Sequence, residues 1–319
     1  MKLLKLMALV PSILMNIGIV QADFVHSLEV VSSWELLTDT ATIKLPRKIK
    51  GVNGRTLKEL VKADEAVIID AGYDGNLDRI FEGAVLQVNP TIPFVIECQD
   101  PMKALKENNF TMAWKNATLA QVLDHIAPNI EKQLLDVELG KFQFERVSGA
   151  RVLDALKKRG LYSFFRNGKL QVGLQYNPET AKRHVFSFGH NIHKDGNNLE
   201  FFSKENIRLK VKAISIGTDN KKTIVEIGDE TGDQRTMHFY NLSATELKAA
   251  AERELDRLKY DGYRGSFKTF GQPTVQHGDI VKVIDPFYED RAGEFWVDKV
   301  VRSYSLGGYN QVITLGAAI

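Results

Sequence analysis

Apolar and polar residues alternate with a period of two along much of the first hundred positions, the pattern of strands that bury one face. In Thr38-Asp39-Thr40-Ala41-Thr42-Ile43-Lys44-Leu45 the residues Ala41, Ile43 and Leu45 fall on one side, and the threonines and Lys44 on the other. Pro46, which has no amide hydrogen to give a ladder, ends the run. Similar β-branched runs at Ser12–Val20, Leu28–Val31, Ala66–Asp70, Ile80–Val88 and Phe94–Cys98 predict a small barrel or sandwich over residues 1–100. Ser12–Val20 and Phe24–Val31 are expected to form one hairpin.

The period changes at Asp100-Pro101. Helical segments are predicted at Met102–Asn108, Leu119–Ile126 and Ala150–Arg159, and strands at Thr111–Lys115 and Val137–Val147. Ser148 is a plausible N-cap for the last of these helices and Gly160 its stop. Asn167-Gly168, between Leu161–Phe165 and Leu170–Leu174, is the strongest short-range hairpin signal in the chain. Residues 101–185 thus read as an α/β insert. Strands return over 186–319, at Leu199–Phe202, Ile207–Ile216, Thr223–Ile227, Gln234–Tyr240, Ile280–Ile284, Glu294–Tyr304 and Gln311–Leu315. One helix, about 243–259, interrupts them. Ser243 and Glu246 can cap each other's backbone donors, and Leu247, Ala251, Leu255 and Leu258 form an apolar line to pack on the sheet. The fold class expected is mainly β (α+β), with two related small β-barrel domains around an α/β insert. A faint internal echo supports the relation: strand, acidic turn and aromatic-led strand occur as Ala66–Val88 and again as Ile280–Tyr304.

Composition adds little. The 319 residues are enough for two or three domains, and 44% apolar with 26% charged residues is the balance of a soluble globular protein. With 42 basic and 40 acidic residues the formal charge is +2, so no broad field draws nucleic acid or anionic lipid to the chain. No specific nucleic-acid binding is expected. The only cysteine, Cys98, excludes an internal disulfide and reads as a buried, inert thiol. Met1-Lys2-Leu3-Leu4-Lys5, an apolar stretch and Val20-Gln21-Ala22 imitate a secretory signal. Pro11, Ser12 and Asn16 interrupt its apolar region, so the segment reads as a mature N-terminal strand, too short and broken for stable membrane insertion.

The candidates for chemistry do not converge. Asp74, Asn76 and Asp78 alternate like calcium ligands, but Arg79 stands where the sharp turn needs glycine and Val85 where the bidentate glutamate belongs, so a hairpin turn explains them better. Glu289, Asp290, Glu294 and Asp298 offer the paired carboxylates of a glycosidase, yet they lie in and beside a turn between strands. His184, His190 and His193 are the closest histidines of seven, in a glycine- and asparagine-rich stretch that reads as a loop, without a zinc-protease pattern. Gly262-Tyr263-Arg264-Gly265-Ser266 lacks the lysine of a phosphate loop. No catalytic, cofactor or metal residues are assigned, and no cofactor is expected.

Several segments in order nevertheless resemble a known group. Ser32-Ser33-Trp34-Glu35 running into Leu45-Pro46 resembles the first-barrel strand of phage tail hub proteins, the late control protein D and baseplate hub group. Gly72-Tyr73-Asp74-Gly75-Asn76, Ile80-Phe81-Glu82-Gly83 and Pro93 to Met102 follow in the order that group has. Gly278-Asp279-Ile280-Val281-Lys282-Val283 with Gly293-Glu294-Phe295-Trp296-Val297 resembles its closing barrel. The resemblance implies a non-enzymatic homotrimer with a central channel, located in a virion tail or baseplate and made in the bacterial host cytoplasm. Its partners would be the tail tube protein and the central spike protein, with a tape measure protein as a further candidate. Three rivals stand beside it: the hub of a bacterial contractile injection or type VI-like secretion device, a secreted wall-binding or carbohydrate-active enzyme, and a monomeric adaptor. Trp34 and Trp296 are expected to anchor the two β-domains separately.

Overall fold

The computed structural model describes residues 9–46, 56–217 and 219–319. The basic start of the signal-like segment, Met1 to Lys5, lies outside the described residues. The chain is mainly β, and a 12-stranded sheet forms its frame.

The first half of that sheet comprises β1 (Pro11–Ile17), β2 (Val20–Ala22), β3 (Ser27–Ser33), β4 (Thr40–Leu45), β5 (Ala66–Tyr73), β6 (Asn76–Asn89) and β7 (Phe94–Gln99), with a short helix α1 (Leu57–Leu60) before β5. Its strands lie in the order β3-β4-β7-β6-β5-β1-β2. Alternation in the sequence becomes alternation of burial: Ala41, Ile43 and Leu45 in β4 and Val67 and Ile69 in β5 are inside. The expected partner of the N-terminal strand is corrected. Gly18, at φ +53°, turns β1 back onto the three residues of β2, while β3 pairs with β4 instead. Phe24 sits exposed in the connection.

The insert contains α2 (Met102–Glu107), β8 (Asn109–Thr118), α3 (Leu119–Ile126), β9 (Lys132–Leu134), β10 (Glu138–Ser148), α4 (Gly149–Lys157), β11 (Tyr162–Arg166) and β12 (Lys169–Gly173). Thr118 caps α3, its side chain accepting from Gln121 N at 3.2 Å, and Ser148 does the same for α4 from Arg151 N at 3.3 Å. Leu119, Val122, Leu123 and Ile126 pack with Val152, Leu153 and Leu156 in a core of the insert's own.

The remaining strands are β13 (Arg183–Ser187), β14 (Glu200–Phe202), β15 (Leu209–Ile216), β16 (Lys222–Gly228), β17 (Asp233–Tyr240), β18 (Gly262–Arg264), β19 (Ser266–Phe270), β20 (Ile280–Ile284), β21 (Gly293–Ser305) and β22 (Gly308–Ala318). The helix, α5 (Ala244–Leu258), has the capping box of Ser243 and Glu246. Its apolar line packs on a sheet as expected, and that sheet is a separate three-stranded one: Leu247, Ala251, Leu255 and Leu258 meet Val211 and Ala213 of β16-β15-β17. β15 and β17 are parallel, joined through β16, and α5, which follows β17, covers a face of this sheet. No helix among the described residues is long and apolar enough to cross a membrane.

In the second half of the frame β13, β20, β21, β22 and β19 lie side by side. The first half has the same arrangement in β1, β5, β6, β7 and β4, although β13 runs parallel to β20 and β1 antiparallel to β5. The match extends to individual hydrogen bonds. Asp64 N donates to Val85 O and Val85 N to Glu65 O, both at 2.9 Å. In the same way Gly278 N donates to Val297 O at 2.7 Å and Val297 N to Asp279 O at 2.9 Å. Directly after these residues both long strands slip by one position against the next strand, between Val85 and Gln87 and between Val297 and Lys299. A one-residue bulge at the same place in both is the signature of a duplicated framework.

Candidate functional site

The halves meet strand to strand. Once β20 has ended, the edge of β21 from Lys299 to Ser305 is taken by β3 from the first half, Lys299 opposite Ser33 and Ser305 opposite Ser27. Around this seam the chain places most of its buried polar groups. Tyr309 of β22 sits in the first half's core, where the Tyr73 hydroxyl donates to the Tyr309 carbonyl and accepts from Gly271 N at 3.2 Å. Asp78 accepts from Gln272 Nε2 at 3.1 Å and Thr274 Oγ1 at 2.7 Å, so the carboxylate considered for calcium ties the halves together.

Beside the seam lies a cavity of about 140 Å³ whose lining includes Asp39, Asp100, Arg166, His277 and Arg302. Asp39 N donates to Asp100 Oδ2 at 3.0 Å, and Asp100 N to the Asp39 carbonyl at 3.1 Å. Burial pushes Asp39 up to about 6 against the pull of Ser32 and Ser33. Burial and the neighbouring Asp39 push Asp100 up to about 7. Across the cavity burial, with Arg166 and Arg302 beside it, pushes His277 down to about 3, and its Nδ1 has no partner. Burial raises Asp279, but His184, the Gln276 and Lys182 amides and Arg166 together hold its carboxyl below the usual range. Arg166 Nη2 reaches it at 2.5 Å.

Two carboxyls of raised pKa in a cavity invite an acid–base reading that the sequence did not single out. The geometry opposes it. Asp100 Oδ1 accepts from Met102 N at 3.0 Å just ahead of α2, and Asp39 Oδ1 accepts from Ser33 N at 3.2 Å, so both are engaged in holding backbone turns. The space is also well below the roughly 300–1,000 Å³ of ordinary ligand sites. The cluster holds the first half, the insert and the second half against one another.

The second joint is aromatic and corrects the expectation for the tryptophans. Trp34 and Trp296 do not anchor separate domains. Tyr176, arriving from the insert, stacks on Trp296 at 4.7 Å and 7° and meets Trp34 edge-on at 6.2 Å. Asp298, the bulge residue of β21, accepts from Trp34 Nε1 at 2.8 Å and from the Tyr176 hydroxyl. Burial raises its pKa while these donors oppose the rise. Asp298 thus belongs to this clasp, whereas Glu289 and Asp290 lie on an exposed turn and Glu294 pairs with Arg183. The four carboxylates considered for a glycosidase are not brought together.

Asp74 and Gly75, at φ +53° and +81°, form the two-residue turn between β5 and β6, and Arg79 pairs with Asp70 and Glu82. His184 sits on Asp279 at 3.2 Å, His190 is exposed, and His193 lies edge-on to Phe270. No group of three or more histidine, cysteine or carboxylate residues placed to hold a metal occurs among the described residues. Cys98 is buried, and burial pushes its thiol up to about 12. Gly262–Arg264 is strand β18, not a phosphate loop.

No protein-family model matches the chain, and no curated protein sequence does. Its fold is that of solved tail and secretion-system proteins. A tail protein from Neisseria meningitidis MC58 is 15% identical with a TM-score of 0.63, over 96% of each chain. The 43 kDa tail protein of prophage MuSo2 from Shewanella oneidensis is 16% identical with a TM-score of 0.64, again over 96% of each chain. The E. coli c3393 protein, a type VI secretion component described as similar to the T4 tail proteins gp27 and gp5, is 10% identical with a TM-score of 0.57, over 95% of this chain and 76% of that one.

Proposed function

We propose that the chain is a structural hub of a phage tail or related contractile injection machine, a homotrimeric ring that joins a six-fold tail tube to a three-fold spike and leaves a channel. The observation that carries this is the duplicated framework joined through β3 and β21. Two like units in one chain, each offering one edge and receiving another, make a heterologous contact that closes into a ring when three chains supply six units. Such a ring reconciles the two symmetries. The division into a β-domain at 1–100, an insert at 101–185 and a β-domain at 186–319 is part of this reading, with residues 209–258 as a second α/β unit. The two α/β units interrupt the framework at different points, the first after β7 and the second before β19, so they are not each other's equivalents.

The same reading makes the chain non-enzymatic, with the tube and spike proteins as partners, no sequence-selective DNA binding, and a place in the virion tail. A type VI-like hub is the second reading, favoured by the fold shared with the E. coli secretion component over 95% of this chain. Mass measurement and electron microscopy of the purified protein, alone and with tube protein, test the ring. Trimers with a central opening are expected, and dimers or six-chain rings overturn it. Cell-wall hydrolysis lost in Glu289→Gln, Asp290→Asn or Glu294→Gln would overturn the non-enzymatic part.

A further inference from the structure

The connection between β20 and β21 presents two aromatic side chains to solvent. Phe287 is 87% exposed and Tyr288 52%, and the acidic pair Glu289 and Asp290, also exposed, follows them. A single exposed apolar residue is ordinary on a protein surface, whereas adjoining rings held on a fixed turn mark a contact site. The turn is fixed from both ends. Asp285, buried, accepts from the Tyr263 hydroxyl at 2.8 Å and from Phe287 N at 3.0 Å, and so ties the start of the tip to the second half's core. At the other end Arg291 N donates to the Tyr288 carbonyl at 3.0 Å. The Arg291 guanidinium lies 4.0 Å from the centre of the Tyr288 ring and 5.0 Å from that of Phe201, clamping Tyr288 towards β14.

The duplicated framework has a counterpart of this tip. Counted inward from the hydrogen bonds that Val85 and Val297 make, Phe287 and Tyr288 stand at the middle of the second hairpin, as Asp74 and Gly75 stand at the middle of the first. The two tips share a place and differ in chemistry. Asp74 and Gly75 close a two-residue turn without an aromatic ring, and the Asp74 carboxylate is engaged by Val10 N at 3.1 Å. A ring of three chains therefore presents its six tips on one side in two alternating kinds, aromatic and polar. A partner with six equal sites would meet the wrong chemistry at every second tip. A partner with three equal sites would meet Phe287 and Tyr288 at each.

We infer that the Phe287–Tyr288 tip is the docking point for a three-fold protein partner, one that offers an apolar pocket rimmed by basic side chains. This rests on the hub reading, in which the spike is the three-fold partner and the tube the six-fold one. Phe287 enters the pocket, and Tyr288, propped on Arg291, adds flat contact area with a hydroxyl at its end. Aromatic residues and arginine are the side chains that most often carry the binding energy of a protein interface. Glu289 and Asp290 place negative charge beside the pocket, which basic groups of the partner complement. Because the turn is already held by Asp285 and Arg291, docking orders little that is free beforehand.

The test uses the full-length protein, with the trimeric spike protein and the tube protein of the same gene cluster as probes. Phe287→Ala together with Tyr288→Ala should keep the parent's native mass and tube affinity and lose at least about tenfold in spike affinity. Glu289→Lys together with Asp290→Lys leaves both rings in place and should also weaken spike binding, with a loss that shrinks as salt is raised. A smaller loss of spike affinity in the aromatic variant, or an equal loss towards both probes, overturns the docking and leaves the hub reading standing. Should the aromatic variant fail to fold, the lysine variant decides, and unchanged spike affinity in it overturns the docking. A parent protein that binds neither probe overturns both.

Discussion

At the turn into β5 the first half places Asp64 at φ +69°, and at the turn into β20 the second half places Gly278 at φ +76°. The same left-handed turn is met with different residues, and the hydrogen bonds to Val85 and Val297 that follow are the same. One position past those valines the halves part. The bulge residue of the first half is Leu86, partly exposed and without a polar partner; that of the second is Asp298, holding Trp34 and Tyr176. A backbone device is thus kept in both copies while the side chain on it follows what lies beyond. In the second half the insert and the first half lie there, and the bulge aims a carboxylate at them; in the first half no strand among the described residues lies there.

The largest effect that sharpens this contrast is expected at the two tryptophans. Trp296 is buried in the second half and stacked by Tyr176, so Trp296→Ala should cost about 3–5 kcal/mol in urea unfolding. Trp34 is half-buried, and Trp34→Ala should cost about 1–2 kcal/mol, chiefly its ring contacts and the bond to Asp298. Because Tyr176 and Asp298 serve both rings, the double variant should fall short of the sum by at least about 0.5 kcal/mol. Strict additivity would mean that the halves are anchored independently after all.

The cavity at the seam gives a contrast in pH. Its first-half wall carries Asp39 and Asp100, raised to about 6 and about 7, so between about 4 and about 7 the native state holds protons that the unfolded chain has released. Stability contributed there is present at acid pH and lost as pH rises through that window. Its second-half wall carries His277, lowered to about 3, so the unfolded chain takes up the proton first and stability is lost as pH falls below about 6.5. Each proton changes stability by at most about 1.4 kcal/mol per pH unit, and the opposed slopes partly cancel in the parent. Asp39→Asn with Asp100→Asn should leave a stability that rises from pH 4 to pH 7, and His277→Asn one that falls over the same range. Denaturation midpoints at several pH values measure both. Equal slopes in the two variants would show that the cavity does not set them.

Strand positions were legible because a half-buried strand writes its burial into alternate residues, as β4 does at Ala41, Ile43 and Leu45. Caps were legible for the same local reason, at Ser148 and at Ser243 with Glu246. Pairing was not. The β3 sequence fits a neighbour in β1 as well as one in β21, and only tertiary geometry selects a partner some 270 positions away. β13 and β19 were missed because each buries a single apolar side chain, Phe186 and Phe267, so no apolar alternation shows. The polar joint escaped because its members, Asp39, Asp100, Arg166, His277 and Arg302, are scattered singly, and each looks alone like an ordinary surface charge. The echo between Ala66–Val88 and Ile280–Tyr304 did mark the duplicated hairpins, though it gave no hint of their shared bulge.

The smallest expected effects test whether the two turns are equivalent in energy as well as in shape. Asp64 holds a left-handed conformation that asparagine and aspartate tolerate better than other side chains but that costs glycine nothing. Its carboxylate gains from Lys103, an exposed pair that offsets a few tenths of a kcal/mol at most. Asp64→Gly should therefore be close to neutral, within about 0.5 kcal/mol, the relieved strain set against added freedom in the unfolded chain and the lost pair. Gly278→Ala meets strain with no such gain. An added Cβ would lie 3.1 Å from Arg166 Nη1, the movable end of a long side chain, so the cost is mainly conformational, about 1 kcal/mol. Gly278→Asn should recover part of it, because asparagine adopts this conformation more readily than alanine. The order glycine, asparagine, alanine at 278, read from denaturation midpoints, would make the two turns one device with two solutions. A loss at Gly278→Asn larger than at Gly278→Ala would instead assign the cost to crowding against Arg166 and the buried pair it forms with Asp279.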